Sequence, residues 1–396
     1  MHHEIRKRGL VFSQINRLGL ISLTTNIGLA LVTTIWAIYL ESILHNISYV
    51  GFLTGFYTFI GIFVSVLSVP ILEKNSKTKI FSFSLIIFIL SYFLFSVVSN
   101  LWIVLILGVV IAIFSVIRMN SFGIIIRDKS KDDSVSKNVG LIYTFFNIAW
   151  FVGPLIAGFL AEKYGLKVVF IASGLVLLAT LILFNLFKIK DNRITKKTDG
   201  NFIKLIISFL KNKDRRKIYF LAGGITFWNT LIYVYLPIYI INTTGKDLLV
   251  GYFLSATIIP LILLEYYFGK LTGKIGFRKI FVLGYSIMSL AAISSFFIPN
   301  LYLILIIITL GGIGMAMLES TTESYFFDIV KKNERDKYYG PYNTTIEVNG
   351  LVASVAMAGA LLILPFKFIF LVVGAMMLIL TLISLRIKNI VEVKRH

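Results

Sequence analysis

Five ionisable residues stand where the chain is otherwise almost wholly apolar: Arg118, Glu265, Glu319, Glu323 and Glu347. Glu319 and Glu323 fall one turn apart in "GMAMLESTTESYFFDIV", Gly314 to Val330. That i,i+4 spacing puts both carboxylates on one face of a helix. An unpaired charge at membrane depth costs at least ~2.5–3.5 kcal/mol on insertion scales, so such a residue faces a bundle interior, a partner or a water-filled cavity. Two uses follow. Arg118 can pair with Glu319 or Glu323 and close one side of a pathway. A carboxylate can exchange a proton for a substrate, because its neutral and ionised forms favour different conformations. Two acids a turn apart disfavour double ionisation and so favour a shared proton. Plainer roles stand beside these. Glu323 and Glu347 can be hydrated near a vestibule, Glu347 can meet a loop lysine, Glu265 can be hydrogen-bonded in the packed "LEYYFG", and Arg118 can pair within its own bundle.

The elements that carry these residues are long apolar helices. Of 396 residues, 57% are hydrophobic and 15% charged, against about 25% charged in a soluble protein. Runs of ~20 apolar residues, each enough to cross a ~30 Å hydrocarbon core, recur along the chain. They fall at roughly 18–40, 49–72, 79–98, 101–126, 138–161, 168–187, 218–241, 249–269, 280–298, 301–328, 340–363 and 366–385. The pattern predicts an all-α polytopic membrane protein with 12 transmembrane helices, since a β-barrel would show ~10-residue alternating segments. There is no cysteine, which excludes disulfides and thiolate metal sites. The four histidines, His2, His3, His45 and His396, are too scattered for a metal site. No cofactor is expected, and "TTGKD" at Thr243 lacks the spacing of a phosphate-binding loop.

The net charge of +20 is a topology signal rather than a mark of nucleic acid. Of 39 Lys and Arg, all but Lys163, Lys167, Lys246, Lys367 and the in-span Arg118 fall on the side of both termini. The positive-inside rule places that side in the cytoplasm of a multi-pass cell-membrane protein, with some attraction to anionic lipid.

The chain divides at the polar stretch beginning at Lys188. Residues 1–187 form an N-terminal six-helix bundle, 188–217 a cytoplasmic linker and 218–396 a C-terminal six-helix bundle. In the linker, "FIKLIISFLK" puts Phe202, Leu205, Ile206, Phe209 and Leu210 on one face, as an interfacial helix would. The halves match at a shift of 200 without gaps. Tyr39 meets Tyr239, Gly51 meets Gly251, and Lys79–Phe81 meets Lys279–Phe281. Asn100 meets Asn300, Asp128 meets Asp328, Gly140 meets Gly340, Phe170 meets Phe370 and Gly174 meets Gly374. Two pseudo-symmetric bundles support alternating access around a midplane site. The shift also pairs Asn147 with Glu347. Candidate cavity residues are Asn26, Tyr143, Asn147, Trp228, Asn229 and Tyr233, with Trp150 beside them. Aromatic rings among acids suit an amphipathic or cationic substrate, and they also suit sugars.

The loop "GKLTGKIGFRK" carries Gly269, Lys274, Gly276, Arg278 and Lys279. It resembles the short loop signature of the major facilitator superfamily, with Gly273 at the acidic position. Its first-half counterpart keeps Glu73 and Lys74 but loses the glycines. "GLIYTFFNIAWFVGPLIAG" resembles the fifth-helix signature of the family's 12-helix drug/proton antiporters through Gly140, Gly153, Pro154 and Gly158, with Ala149 and Ala157 replacing two glycines. The resemblance implies the family's fold and a secondary transporter. It tilts the reading toward proton-coupled export of small amphipathic or cationic compounds by a monomer. Proton-coupled or facilitative uptake of a metabolite such as a sugar is the alternative. A transporter-derived receptor or a membrane enzyme is remote, because no output domain and no catalytic constellation are evident.

Overall fold

The computed structural model describes residues 14–129, 135–189 and 202–391. Their regular structure is helical. The first bundle comprises α1 (Gln14–Leu44), α2 (Ile47–Lys74), α3 (Lys77–Val97), α4 (Leu101–Lys129), α5 (Val135–Tyr164) and α6 (Leu166–Leu186). A short α7 (Phe202–Lys211) precedes the second bundle. There the seventh span is α8 (Lys213–Thr230), a π-helical turn (Leu231–Tyr235) and α9 (Leu236–Thr244) in unbroken succession. Then follow α10 (Asp247–Ile275), α11 (Phe277–Phe297), α12 (Leu301–Ile329), α13 (Arg335–Ile363) and α14 (Phe368–Ser384). Among the described residues, 11 spans are long and apolar enough to cross a membrane by length and composition, and α14 is a shorter apolar helix.

The shift of 200 recurs in the contacts. Tyr39 meets Phe170 at 4.9 Å between ring centroids, and Tyr239 meets Phe370 at 6.4 Å. Gly174 packs against Phe93, and Gly374 against Ile293. The Lys167 ammonium reaches the α3–α4 turn at Ser99 (3.4 Å), and the Lys367 ammonium reaches the α11–α12 turn at Ile298 O (3.1 Å). Asn100 and Asn300 each accept from backbone N–H groups at the start of the helix that follows. Each half thus folds on its own repeat. In lipid, such helices are held by close packing and interhelical hydrogen bonds rather than by apolar burial alone.

Two helix pairs make the most extensive contacts between the bundles, α2 with α13 and α5 with α10, and α1 also meets α9 and the π-helical turn. Near the end opposite the termini, Ile38 inserts among the second bundle's core residues, while its counterpart Ile238 inserts among the first's. The linker helix, expected as an amphipathic interfacial helix, turns part of its apolar face to the second bundle. Phe209 of α7 is wholly buried among Tyr219, Phe326 and Tyr338, and the Ser208 and Tyr338 hydroxyls are hydrogen-bonded at 3.0 Å. So α7 packs onto the second bundle. The polar stretch 190–201 lies outside the described residues.

Candidate functional site

The depth and facing of Glu319 follow from the packing of α12. Asn300 caps the helix, accepting from Leu303 N at 3.2 Å. Gly314 lies against Gly284 and Met288 of α11, and Gly311 against the indole of Trp228. With those faces occupied, Gly312 is turned to α10, where an added Cβ would sit 3.3 Å from Pro260. Glu319 is seven residues on from Gly312, two helical turns along the same face. Its Oε2 is buried without a hydrogen-bond partner among the described residues.

Around Glu319 the two bundles contribute different groups. Glu265 of α10 lies within its electrostatic reach, as does Tyr233 in the π-helical turn, which also sits beside Thr257. Tyr143 of α5 lies within electrostatic reach of Glu323, Glu319 and Glu265. Further along α5, Tyr143, Phe146 and Trp150 form a ladder with centroid spacings of 6.2 and 5.7 Å. The ladder meets Tyr233 edge-on at 5.4 Å from Trp150. Among the described residues the buried Trp150 indole N–H and Asn229 Oδ1 have no hydrogen-bond partner, and Asn147 of α5 is half-buried. Polar atoms left unsatisfied inside a native fold call for an explanation such as water, an ion or a ligand. Acids, phenols and an indole N–H drawn from both bundles can transfer a proton and bind a polarised or cationic compound.

Other candidates fall elsewhere. Glu323 is exposed and accepts a 2.6 Å hydrogen bond from the Tyr339 hydroxyl, so in this conformation it ties α12 to α13. Glu347 of α13 directs its carboxylate at α2, where an added Cβ on Gly61 would lie 2.7 Å from Oε2. Glu265 itself is half-buried: in "LEYYFG" Phe268 joins the core and Leu264 packs on it, while Tyr266 and Tyr267 are exposed. Arg118 sits with its guanidinium 5.9 Å from the Phe88 ring centroid and beside Tyr92, and its Nε has no partner among the described residues. Among the described residues no ion pair joins it to Glu319 or Glu323 here. Two cavity candidates are enclosed in this conformation. Trp228 is wholly buried against α12, its indole N–H unpartnered among the described residues. Asn26 is buried, and its amide donates to Ser22 O at 2.7 Å within α1.

The signature residues divide similarly. Gly153 meets Ala30 of α1, and Gly158 meets Gly251 and Asp247 of α10, while the Pro154 carbonyl lies against Gly251. Gly140, expected to pack closely, is exposed, with nothing among the described residues within 4 Å of an added Cβ. Gly276 has φ +88° and takes the Asn389 side chain where a Cβ would be. Phe277 N donates to Ile390 O at 3.2 Å. The loop thus docks the second bundle's own C-terminal segment. Gly269, Lys274, Arg278, Lys279 and Lys74 are exposed, and the side chain of Glu73 lies outside the described set. The π-helical turn carried no sequence signal. Trp150 was visible as a mid-span indole beside Asn147.

The sequence profile of the Major Facilitator Superfamily matches residues 18–264 and again 218–395. The chain is a member of the major facilitator superfamily. It is 25% identical over 344 residues to the MFS-type transporter MJ1560 of Methanocaldococcus jannaschii, covering 84% of this chain and 87% of that one. It is also 25% identical to the quinolone resistance protein NorA of Staphylococcus aureus strain MRSA252, covering 85% and 86%. A POT family transporter crystallised with 5-aminolevulinic acid has the same fold, with a TM-score of 0.80 at 13% identity over 94% of this chain and 95% of that one. The nucleoside transporter NupG has a TM-score of 0.73 at 10% identity, covering 93% and 98%. This superfamily protein is therefore an integral multi-pass membrane transporter and not an enzyme.

Proposed function

We propose that this transporter exports small amphipathic or cationic compounds in exchange for protons by alternating access, with both termini cytoplasmic and residues 1–187 and 218–396 rocking about the linker 188–217. The observation that carries the reading is Glu319: a carboxylate with a buried, unpartnered oxygen, grouped with Glu265, Tyr143 and Tyr233 where the bundles meet. Proton and substrate would compete for this group, so that each is released as the other binds. Arg118 and the acids would meet only when the terminal end closes. The reciprocal insertion of Ile38 and Ile238 and the Gly158–Gly251 contact support a conformation shut at the opposite end. Kinship with proteins named for quinolone resistance favours export over uptake.

The test uses purified protein in proteoliposomes with an imposed pH gradient and a panel of amphipathic cations and sugars. A transported cation should dissipate the gradient. Glu319→Gln should abolish this with elution profile and Tm unchanged. Unaltered coupling in Glu319→Gln removes that residue from the mechanism. Unaltered coupling in the Gln variants of Glu265, Glu319, Glu323 and Glu347 alike defeats the proton-linked reading. Sugar uptake down the gradient defeats export.

A further inference from the structure

One pair of equivalent corners in the two bundles is not built alike. The α2–α13 and α5–α10 crossings are related by the shift of 200, yet their helix starts are capped differently. At α2, Asn46 caps its own helix, its side chain accepting from Ser48 N at 2.9 Å and Tyr49 N at 3.3 Å. The counterpart at α10 is Lys246, which has no acceptor on its side chain and makes no side-chain cap. The N–H equivalent to that of Ser48 belongs to Leu248, and it donates to Glu162 Oε2 at 3.2 Å. Glu162 belongs to α5, in the other bundle. Its own counterpart on α13 is Leu362, 56% exposed.

We infer that Glu162 is a positioning residue of the transport cycle: a latch that caps α10 across the bundle boundary only while the end opposite the termini is shut. This inference rests on the alternating-access reading. The registry of α5 on α10 explains why the carboxylate arrives there. Phe151 O accepts from the Ser255 hydroxyl at 2.7 Å, the Pro154 carbonyl lies against Gly251, and Gly158 lies against both Gly251 and the Asp247 carbonyl. Pro154, Gly158 and Glu162 follow at intervals of four, one stripe along α5. On the antiparallel α10, Gly251 answers Pro154 and Gly158, and Leu248 answers Glu162. The glycine contact brings the helices close, and one turn beyond it Glu162 reaches the first exposed N–H groups of α10. A carboxylate is favoured there by the unsatisfied N–H groups and by the positive end of the helix. Asp247 at the first helical position lies alongside Glu162. When the bundles part, Glu162 leaves with α5 and α10 loses its cap. The first bundle's α2 keeps Asn46 in either conformation.

The chain contains no cysteine, so W102C/Y302C can be spin-labelled without background at the starts of α4 and α12, where both side chains are exposed. In nanodiscs, double electron–electron resonance should resolve a short and a long distance for the closed and parted end. Glu162→Ala should raise the long-to-short ratio about fivefold, within the range that losing one cap imposes on an equilibrium. Adding Lys246→Asn to Glu162→Ala restores a cap within α10 and not the link between bundles, so the ratio should stay raised. A Glu162→Ala distribution superimposable on wild type overturns the latch. So does full recovery of the short distance with Lys246→Asn, which would make Glu162 a stabiliser of α10 alone. A single distance in wild type, with and without substrate and across pH, would overturn the rocking motion and the latch with it.

Discussion

Replacing Gly158 by alanine should loosen the α5–α10 contact by an amount the geometry fixes. An added Cβ would stand 2.9 Å from the Asp247 carbonyl oxygen, 3.0 Å from the Gly251 Cα and 3.1 Å from its N. All three are backbone atoms of one helix, so no rotamer change can clear them. Carbon contacts become favourable near 3.5 Å, and the helices must therefore part by roughly 0.5 Å. Overpacking of this kind costs about 1–3 kcal/mol, which is roughly a five- to hundredfold shift toward any conformation in which the helices are apart. Ser255 reports on it directly, since it is 2% exposed within the crossing. In the otherwise cysteine-free chain, maleimide labelling of S255C should accelerate by a factor in that range when Gly158→Ala is added. Gly140→Ala is the internal control. It lies on the same helix with nothing within 4 Å, and it should leave the labelling rate unchanged. Equal effects of the two substitutions, or none from Gly158→Ala, would refute the claim that backbone-to-backbone contact holds this end shut.

Three further outcomes are expected. Trp150→Ala should weaken binding of an amphipathic cation in equilibrium titration while shifting Tm little, because its indole meets Tyr233 across the bundles. Trp228→Ala should instead lower stability by about 3–5 kcal/mol, the usual cost of emptying a core aromatic site, seen as a loss of Tm in detergent. Gly276→Ala should lower Tm through about 1–3 kcal/mol of backbone strain, because its positive φ with extended ψ is open essentially to glycine alone, and Asn389→Ala should not rescue it, since φ stays positive when the side-chain clash is gone.

Much of the architecture was open to inspection in the residues alone. Continuous apolar runs fixed the span count, because a backbone in lipid must satisfy its hydrogen bonds within each segment. The exact 200-residue register was visible because loop residues such as Asn100 and Asn300 are constrained by the caps they make. The rarity of charge at depth singled out Glu319 and Glu265. What could not be read was direction and neighbour. Tyr143 and Trp228 are both aromatics within predicted spans. Packing left Tyr143 57% exposed and sealed Trp228 completely, because Gly311 admits its ring.

The chain alone therefore determined how many helices there are, that they repeat, and which few side chains are too polar to face lipid. Those properties depend on composition and local periodicity. Only the tertiary structure decided that Glu319 joins Tyr143 and Tyr233, that Glu347 abuts Gly61 of the other bundle, that Arg118 lies over Phe88, and that Glu162 caps a helix not its own. Each of those depends on the rotation of one helix against another, and that is set by where glycines let two backbones touch.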